Sequence, residues 1–197
     1  MAETGIQLIV GLGNPGPVYA KTRHNVGTWL VETLSSSVGH PFHHTSKRMG
    51  QACRITLDHF PCWLFIPDTF MNNSGQAVRA FVNFHRIPPE SILVAHDELD
   101  LVPGIIRLKK GGGHGGHNGL RDIIAHLGTA DFYRFRIGIG HPGNREAVAS
   151  FVLSRPSRDE ELSISSAIND GLAVLPNLLN GDIAAAMQIL HTTSKIN

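Results

Sequence analysis

The chain has 197 residues, of which 42% are hydrophobic and 17% are charged, and its formal net charge is +1. This composition is typical of a globular protein with a full-sized core. It excludes a disordered chain and a generally basic surface of the histone kind. We therefore expect a single domain that spans residues 1–197.

No signal-peptide pattern opens the sequence, and no apolar run is long enough to span a bilayer. Cys53 and Cys62 have neither the spacing of a metal site nor that of a disulfide framework, so both are expected to be reduced core residues. Together these features predict a cytoplasmic protein that makes no contact with membranes.

Short apolar runs alternate with amphipathic stretches along most of the chain. Strands are predicted at residues 6–10, 54–57, 63–66, 92–95, 105–109 and 132–139. Helices are predicted from about residue 25, over a stretch that includes Val78, Phe81, Val82 and Phe84, at 120–127 and at 158–190. Residues 39–48 are expected to form an exposed loop and residues 138–155 a mobile flap.

Strands that alternate with helices indicate an α/β fold. We expect one twisted, mostly parallel but mixed central sheet with helices on both faces. C-terminal helices are expected from about residue 157, with breaks at Pro176-Asn177 and at Gly181.

A G-x-G-x-x-G pattern over residues 11–16 follows the first predicted strand and is typical of dinucleotide-binding folds. In those folds the pattern opens a helix, whereas here two prolines extend the turn and helical periodicity begins only near Asn25. Glu32 lies within that helix and not at the end of a second strand. The pattern is therefore weak evidence for nucleotide binding.

The most unusual stretch is residues 111–119, where six of nine positions are glycine and the others are His114, His117 and Asn118. Glycine lets the backbone pass close to a ligand, although it loses the most conformational entropy on ordering. A helix N-terminus and nearby cations make such a loop suited to phosphate or another anion. A flexible linker is the alternative, but linkers rarely carry this histidine pattern.

Basic residues are concentrated around this stretch. Between residues 107 and 136 there are two acidic residues and six basic ones: Arg107, Lys109, Lys110, Arg121, Arg134 and Arg136. A local cationic patch on a nearly neutral protein predicts a defined anionic ligand and not bulk coating of nucleic acid.

Polar residues stand at the junctions that follow the predicted strands: Asn14, Asn72, Asp97 and Asn118. Since open α/β sheets bind ligands beyond the carboxyl ends of their strands, these side chains are expected to converge in one crevice. His24 precedes the first helix, where the macrodipole would favour neutral imidazole, the form that a general base needs. Asp97 is best placed to orient that imidazole.

Each of these residues also has an ordinary structural interpretation. His24 would be a surface or capping residue, Asp97 a turn residue, Asn14 a turn former, and Asn72 and Asn118 helix N-caps. Metal binding is disfavoured, since the closest approaches to ligand pairs belong to no H-E-x-x-H helix and no Cys/His cluster. No G-x-S-x-G pattern marks a serine nucleophile, so water activated by histidine is the simplest hydrolytic chemistry.

Several motifs, in this order, resemble those of bacterial peptidyl-tRNA hydrolases. They are Ile9-Val-Gly-Leu-Gly-Asn14-Pro-Gly, Tyr19, Thr22-Arg-His24-Asn-Val-Gly27, Phe70-Met-Asn72-Asn-Ser-Gly75, Ala95-His-Asp97-Glu-Leu-Asp100, the glycine stretch and Arg136-Ile-Gly-Ile-Gly-His-Pro-Gly143. The resemblance covers residues 6–155. Asn73 departs from the family pattern, which commonly has an apolar residue there, a difference expected to alter substrate contacts but not the chemistry.

The resemblance implies hydrolysis of the ester that joins a peptide to the 3′-terminal ribose of tRNA. It implies His24 as the base that activates water, Asp97 as its partner and Asn14 as a residue that positions the 3′ end. Asn72 and Asn118 are implied to hold the peptide and polarise the ester carbonyl. The supporting residues that it implies are Tyr19, Met71 and His117.

The same resemblance assigns tRNA phosphate contacts to Arg107, Lys109 and Arg136. It implies no cofactor and no metal, and a monomer in the cytosol. Two other functions stay open at this point: an RNA-binding module without hydrolysis, and a nucleotide-binding oxidoreductase that uses residues 11–16.

Overall fold

Seven strands form one mixed sheet in the computed structural model, which describes residues 4–193. The strands are β1 (Leu8–Gly11), β2 (His43–Thr45), β3 (Gly50–Leu57), β4 (Phe60–Pro67), β5 (Ile92–Glu98), β6 (Ile106–Lys110) and β7 (Tyr133–Gly138). Their order across the sheet is β2-β3-β4-β1-β5-β7-β6. The four central strands, β4, β1, β5 and β7, run parallel, while β2, β3 and β6 pair antiparallel at the two edges.

Helices cover both faces of this sheet. They are α1 (Val26–Val38), α2 (Ser74–His85), α3 (Asn118–Leu127), α4 (Val148–Val152), α5 (Arg158–Ala173), α6 (Leu175–Leu179) and α7 (Ile183–Thr193). Single 3-10 turns occur at Arg23–Asn25, Ser46–Arg48, Met71–Asn73 and Pro89–Ser91. The predicted α/β fold with a mixed sheet between two helical layers is confirmed.

Side chains that alternate along each strand divide the core into two layers. On β1, Ile9 belongs to the layer that contains residues of α1, α5, α6 and α7, whereas Leu8 and Val10 belong to the layer with α2 and α3. β1 and the first four residues of β5 are buried on both faces, which explains why they read as continuous apolar runs and not as alternating ones.

One prediction about an exposed segment was wrong in part. Residues 39–48, expected to be a loop, contain β2, whose backbone pairs with β3 although its histidines are mostly exposed. The polar composition concealed a short edge strand, which needs no apolar face. Phe84, which lies in the second predicted helix, is exposed and lies against the guanidinium of Arg48.

The C-terminal helices begin where the sequence indicated. Ser157 and Glu160 form a reciprocal capping box at the start of α5. The first predicted break was misplaced by a few residues, because Pro176 lies in the first turn of α6, where a missing N–H costs nothing. The second break falls at residues 180–182, as expected.

The path from β1 into α1 brings the start of α1 against the end of β5. A side chain on Gly27 would collide with the carbonyl oxygen of Ala95, so only glycine lets the helix approach β5 this closely. This approach sets the preceding 3-10 turn beside the carboxyl end of β5.

Cys53 and Cys62 are free and buried. Among residues 4–193 no helix has the length and apolar character to cross a membrane.

Candidate active site

Asp97, near the end of β5, is the centre of a buried polar cluster. Its side chain is 3% exposed. His24 Nδ1 lies 2.9 Å from each carboxylate oxygen, and His117 Nε2 lies 2.8 Å from Oδ1. Residues 24, 97 and 117 are distant in sequence, so it is the fold that brings His24 and His117 into contact with Asp97. The ordinary interpretation of Asp97 as a turn residue is wrong, because it is a buried strand residue.

The hydrogen bonds determine which nitrogen of each imidazole carries a proton. A carboxylate only accepts, so His24 donates Nδ1–H and His117 donates Nε2–H to Asp97. His117 Nδ1 then accepts from the backbone N–H of Leu120 at 3.3 Å and caps α3. The other ring nitrogen of His24, Nε2, does not contact Asp97 and is available as a base.

Charge interactions within the cluster outweigh the cost of burying it. Burial alone would raise the pKa of Asp97, but the two imidazoles hold that pKa well below its usual range. Burial alone would lower the pKa of His24, but the carboxylate of Asp97 raises it above the ordinary value. The carboxylate thus shifts the pKa of His24 upward, in the direction opposite to the shift expected from the helix macrodipole.

His96 was not singled out from the sequence, yet it is fully buried in the same cluster. Its Nδ1 lies 2.8 Å from the carbonyl oxygen of Asp97, and its ring meets that of His117 edge-on at 5.1 Å. Burial is the main reason that its pKa falls to about 3, so His96 is neutral at physiological pH. The only signal in the sequence was its place at the end of an apolar strand.

This neutral histidine predicts acid sensitivity of folding. As pH falls below about 6.5, the unfolded chain protonates His96 while the folded chain does not until about pH 3, so stability falls through that window. At pH 4 the loss is roughly 3 kcal/mol, at about 1.4 kcal/mol per pKa unit. Urea unfolding at pH 4 and pH 7 measures it. The His96→Phe variant, which cannot titrate, should lose most of this pH dependence, and an unchanged dependence would contradict the assignment.

Asn14 is tied to two other segments of the site. Its backbone N–H donates to Asn25 Oδ1, and its carbonyl oxygen accepts from Asn25 Nδ2, both at 2.9 Å. Its side-chain oxygen accepts from the backbone N–H of Met71 at 2.7 Å. Asn25 was missed from the sequence, although it directly follows His24. The reciprocal pair holds the loop after β1 against the turn that carries His24.

Asn72 lies in the 3-10 turn that precedes α2, and Asn118 is the first residue of α3. Asn72 is exposed beside buried Met71, and Asn118 is exposed at the first position of α3. The N-cap interpretation is wrong for both, since His117 caps α3 and Asn73 precedes α2. A side chain at Gly119 would collide with the sulfur of Met71, so glycine lets the start of α3 approach the turn that carries Asn72.

The residues expected in one crevice line two cavities, and Asn72 lines neither of these two. A cleft of about 490 Å³ is lined by His24, Asp97, His117 and Asn118, and by the segment 141–152 on its far side. Asn14 lines a smaller cavity of about 230 Å³ with Asn25 and Glu32. Tyr19 lies near that cavity and meets the exposed ring of Phe70 edge-on at 6.1 Å. Asn14 and Asn118 thus line different cavities.

The segment expected to be a flap forms one wall of the larger cleft through α4. It is bound to the site by Arg23, the neighbour of His24, which donates to Ser154 Oγ at 2.6 Å and to the carbonyl oxygen of Arg155 at 2.9 Å. Arg23 also bonds Glu160 at 2.8 Å.

The predicted basic patch contains residues in different environments. Arg107 and Arg136 are opposite each other on β6 and β7, as are Lys109 and Arg134. Arg136 is bonded to Glu98 at 2.8 Å, and Arg107 donates to the carbonyl oxygens of Ile106 and Leu190. Lys109 is exposed. Arg134 is buried and therefore cannot belong to an exposed patch.

Among residues 4–193, three ligand atoms of His24, Asp97 and His117 lie within 4.8 Å of one another and could approach a metal ion. Their N–O separations of 2.8–2.9 Å are those of hydrogen bonds. To bind there, a metal ion would have to displace the protons on His24 Nδ1 and His117 Nε2 that form these hydrogen bonds. The expectation of a site without metal stays a prediction.

Fold and site together define an α/β protein whose cleft contains a histidine–aspartate pair of the kind that activates water or a hydroxyl group. Residues 8–197 match the peptidyl-tRNA hydrolase family. A peptidyl-tRNA hydrolase of Halorhodospira halophila is 53% identical over 189 residues, which are 96% of this chain and 97% of the relative. One of Pseudomonas putida is 54% identical over 96% of this chain and 98% of its own.

A solved structure supports the same assignment. The crystal structure of peptidyl-tRNA hydrolase from Acinetobacter baumannii has a TM-score of 0.92 at 47% identity and covers 96% of this chain and 95% of its own. The chain belongs to the peptidyl-tRNA hydrolase family. The resemblance inferred from the motifs is confirmed.

Proposed function

We propose that this protein hydrolyses the ester bond between the peptide and the 3′-terminal ribose of peptidyl-tRNA, releasing tRNA and free peptide. The observation that carries the proposal is the buried Asp97 bound to His24 Nδ1, which leaves Nε2 of the same ring as a base beside the cleft. Family membership supplies the substrate, and the hydrogen-bond geometry supplies the chemistry.

In the proposed mechanism His24 Nε2 takes a proton from water as the water oxygen attacks the ester carbonyl. The negative charge of Asp97 stabilises the imidazolium that forms. When the tetrahedral intermediate collapses, the C–O bond to ribose breaks and the imidazolium returns its proton to the ribose oxygen. His117 holds Asp97 from the other side and also lines the cleft, so it is proposed to orient Asp97 and to support substrate binding.

The three amides are proposed to position the substrate. Asn14 would orient the 3′ end, while Asn72 and Asn118 would bind the peptide group and polarise the ester carbonyl, with Met71 and Tyr19 supporting them. An amide side chain donates and accepts at once, as a peptide group requires. An unblocked aminoacyl ester instead presents a charged amine, which is costly to desolvate against these amides.

One base and one polarising amide are sufficient for an activated ester. General-base catalysis typically contributes about 10²–10⁴-fold, and one donor to the developing oxyanion about 10²–10³-fold. The leaving ribose alkoxide is also better than the amine that an amide would release, so no metal or covalent nucleophile is required.

We propose that Lys109, with Arg107 and Arg136, contacts tRNA phosphates. Lys109→Gln is expected to weaken tRNA binding and to reduce the slope of log K against log salt by about 0.7–0.9, the value for one released counterion. Arg136→Gln should have a smaller effect, since Glu98 already neutralises that guanidinium. Binding titrations over a range of salt concentrations measure both.

Lys47→Gln is the matched control, because Lys47 is exposed, carries the same charge and follows β2, at the edge of the sheet opposite to β6. Equal slopes for wild type, Lys109→Gln and Lys47→Gln would remove Lys109 from the phosphate-binding role.

The decisive test of function compares N-acetyl-aminoacyl-tRNA with its unblocked form. Rapid release of tRNA from the blocked substrate alone is the expected result. Binding without release would favour the RNA-binding module.

The oxidoreductase alternative is disfavoured by the topology of the sheet. A dinucleotide-binding fold needs a βαβ unit that begins with β1, but the strands that follow α1 in the chain, β2 and β3, are antiparallel edge strands. We further propose that the protein acts as a cytoplasmic monomer without a cofactor.

A further inference from the structure

The glycine loop at residues 111–116 has a backbone that no ordinary side chain would favour. Gly111, Gly112, Gly115 and Gly116 all have positive φ, between 56° and 90°. A loop of this composition has high conformational entropy when free. It nevertheless connects β6 to α3 and has to hold His117 and Asn118 in fixed positions, so some group must restrain it.

One end of the loop is restrained through the catalytic cluster. His117 binds Asp97, and its backbone N–H donates to the carbonyl oxygen of His114 at 2.9 Å. His114 Nδ1 in turn accepts from the backbone N–H of Gly116 at 3.0 Å. These bonds order residues 114–117 but reach no further towards β6.

The other end is restrained by Arg134. Its Nη1 donates to the carbonyl oxygen of Gly113 and its Nη2 to that of Gly112, each at 2.6 Å. A planar guanidinium presents two parallel N–H groups, which suits two consecutive carbonyls. Arg134 projects from β7 on the face opposite Tyr133 and Phe135, directly opposite Lys109 of β6.

Burial separates Arg134 from the residues that could meet phosphate. The residue is 3% exposed, and its guanidinium lies 4.9 Å from the centre of the Phe132 ring. A buried cation is costly unless its donors are used. Its Nε has no hydrogen-bond partner within residues 4–193, so the two loop carbonyls are the acceptors that offset this cost.

We propose that Arg134 is a positioning residue that clamps the glycine loop in the shape that receives the 3′ end of tRNA. It acts through the loop backbone and touches neither substrate nor reacting atoms. The inference rests on the proposed function for its account of substrate, but the clamp itself is measurable without substrate.

The test uses Arg134→Lys, which keeps the charge but presents a point charge that cannot bridge two carbonyls in this geometry. Amide hydrogen exchange of residues 111–117 is expected to accelerate, while exchange in β1 and β5 stays as in wild type. KM for N-acetyl-aminoacyl-tRNA should rise by about tenfold, as for loss of one charge-assisted pair, with kcat nearly unchanged.

Salt dependence distinguishes a clamp from a phosphate ligand. For Arg134→Lys the salt slope of tRNA binding should equal that of wild type, and Arg134→Gln, which removes the charge, should also keep the slope. Lys109→Gln serves as the control that lowers it. A slope lowered by Arg134→Gln with loop exchange unchanged would overturn the proposal, as would unchanged exchange and KM in Arg134→Lys.

If Arg134→Lys does not fold, Arg134→Gln retains one donor for one carbonyl and replaces it in every measurement. Wild-type exchange provides a check that needs no variant: the N–H of Gly111, which bonds the Phe132 carbonyl oxygen at 3.0 Å, should be protected. Coil-like exchange throughout the wild-type loop would overturn the clamp. Failure of wild type to hydrolyse the blocked substrate would instead refute the proposed function and leave the exchange results standing.

Discussion

Replacement of His24 by alanine is expected to lower kcat for N-acetyl-aminoacyl-tRNA by about 10²–10⁴-fold, the usual contribution of a general base. Affinity for tRNA should remain close to wild type, because the proposed phosphate contacts lie on β6 and β7 and not on the turn that carries His24. Single-turnover hydrolysis together with equilibrium binding separates the two effects. A variant that still cleaves at nearly the wild-type rate would show that another group activates water.

The chain contains a matched control for this substitution. His44 also faces an aspartate, with its Nδ1 2.9 Å from Asp68 Oδ2, but its side chain is 65% exposed and lies outside the cleft. His44→Ala removes the same atoms and should leave turnover unchanged. A comparable loss in both variants would indicate a general effect on folding and not a catalytic role for His24.

Replacement of Asp97 by asparagine is expected to lower kcat/KM by about 10²–10⁴-fold, because the imidazolium of His24 loses the charge that stabilises it. The oxygen atoms of Asp97 accept from both His24 and His117. An amide has one acceptor oxygen, and its NH₂ group would face an imidazole N–H or force that ring into the other tautomer. Either result disturbs Nε2 as a base.

The pH profile gives this variant a signature that a purely structural defect would lack. In the wild type, hydrolysis should rise with pH through a pKa above 6.5, because Asp97 raises the pKa of His24 and only neutral imidazole can take a proton. In Asp97→Asn this acidic limb should move to lower pH, since burial remains and the carboxylate is gone. Residual activity with an unmoved limb would show that Asp97 does not control the titrating group.

Asp122→Asn is the appropriate comparison. Asp122 also bonds a histidine, His126, at 3.2 Å, and it accepts from the backbone N–H of Gly75 at 2.7 Å. Its loss should lower stability without moving the acidic limb, because it does not contact His24.

The glycine stretch illustrates how far local chemistry can be interpreted. Its composition indicated a backbone that approaches a ligand, but its rigidity depends on Arg134, which the sequence suggested was part of an exposed cationic patch. Arg134 and Arg136 are two residues apart on one strand, so the sequence places both side chains on the same face. Their tertiary contacts differ, since Arg134 is buried under the loop and Arg136 is bound to Glu98.

Strand and helix periodicity and capping are local properties of the chain, so the α/β class, most strands and helices, and the polar residues at strand ends could be predicted from the sequence. Three features could not: the second hydrogen bond of Asp97 with His117, the different cavities lined by Asn14 and Asn118, and the raised pKa of His24. Those outcomes depend on distances between residues far apart in sequence and on shared burial, and no local pattern encodes either of them.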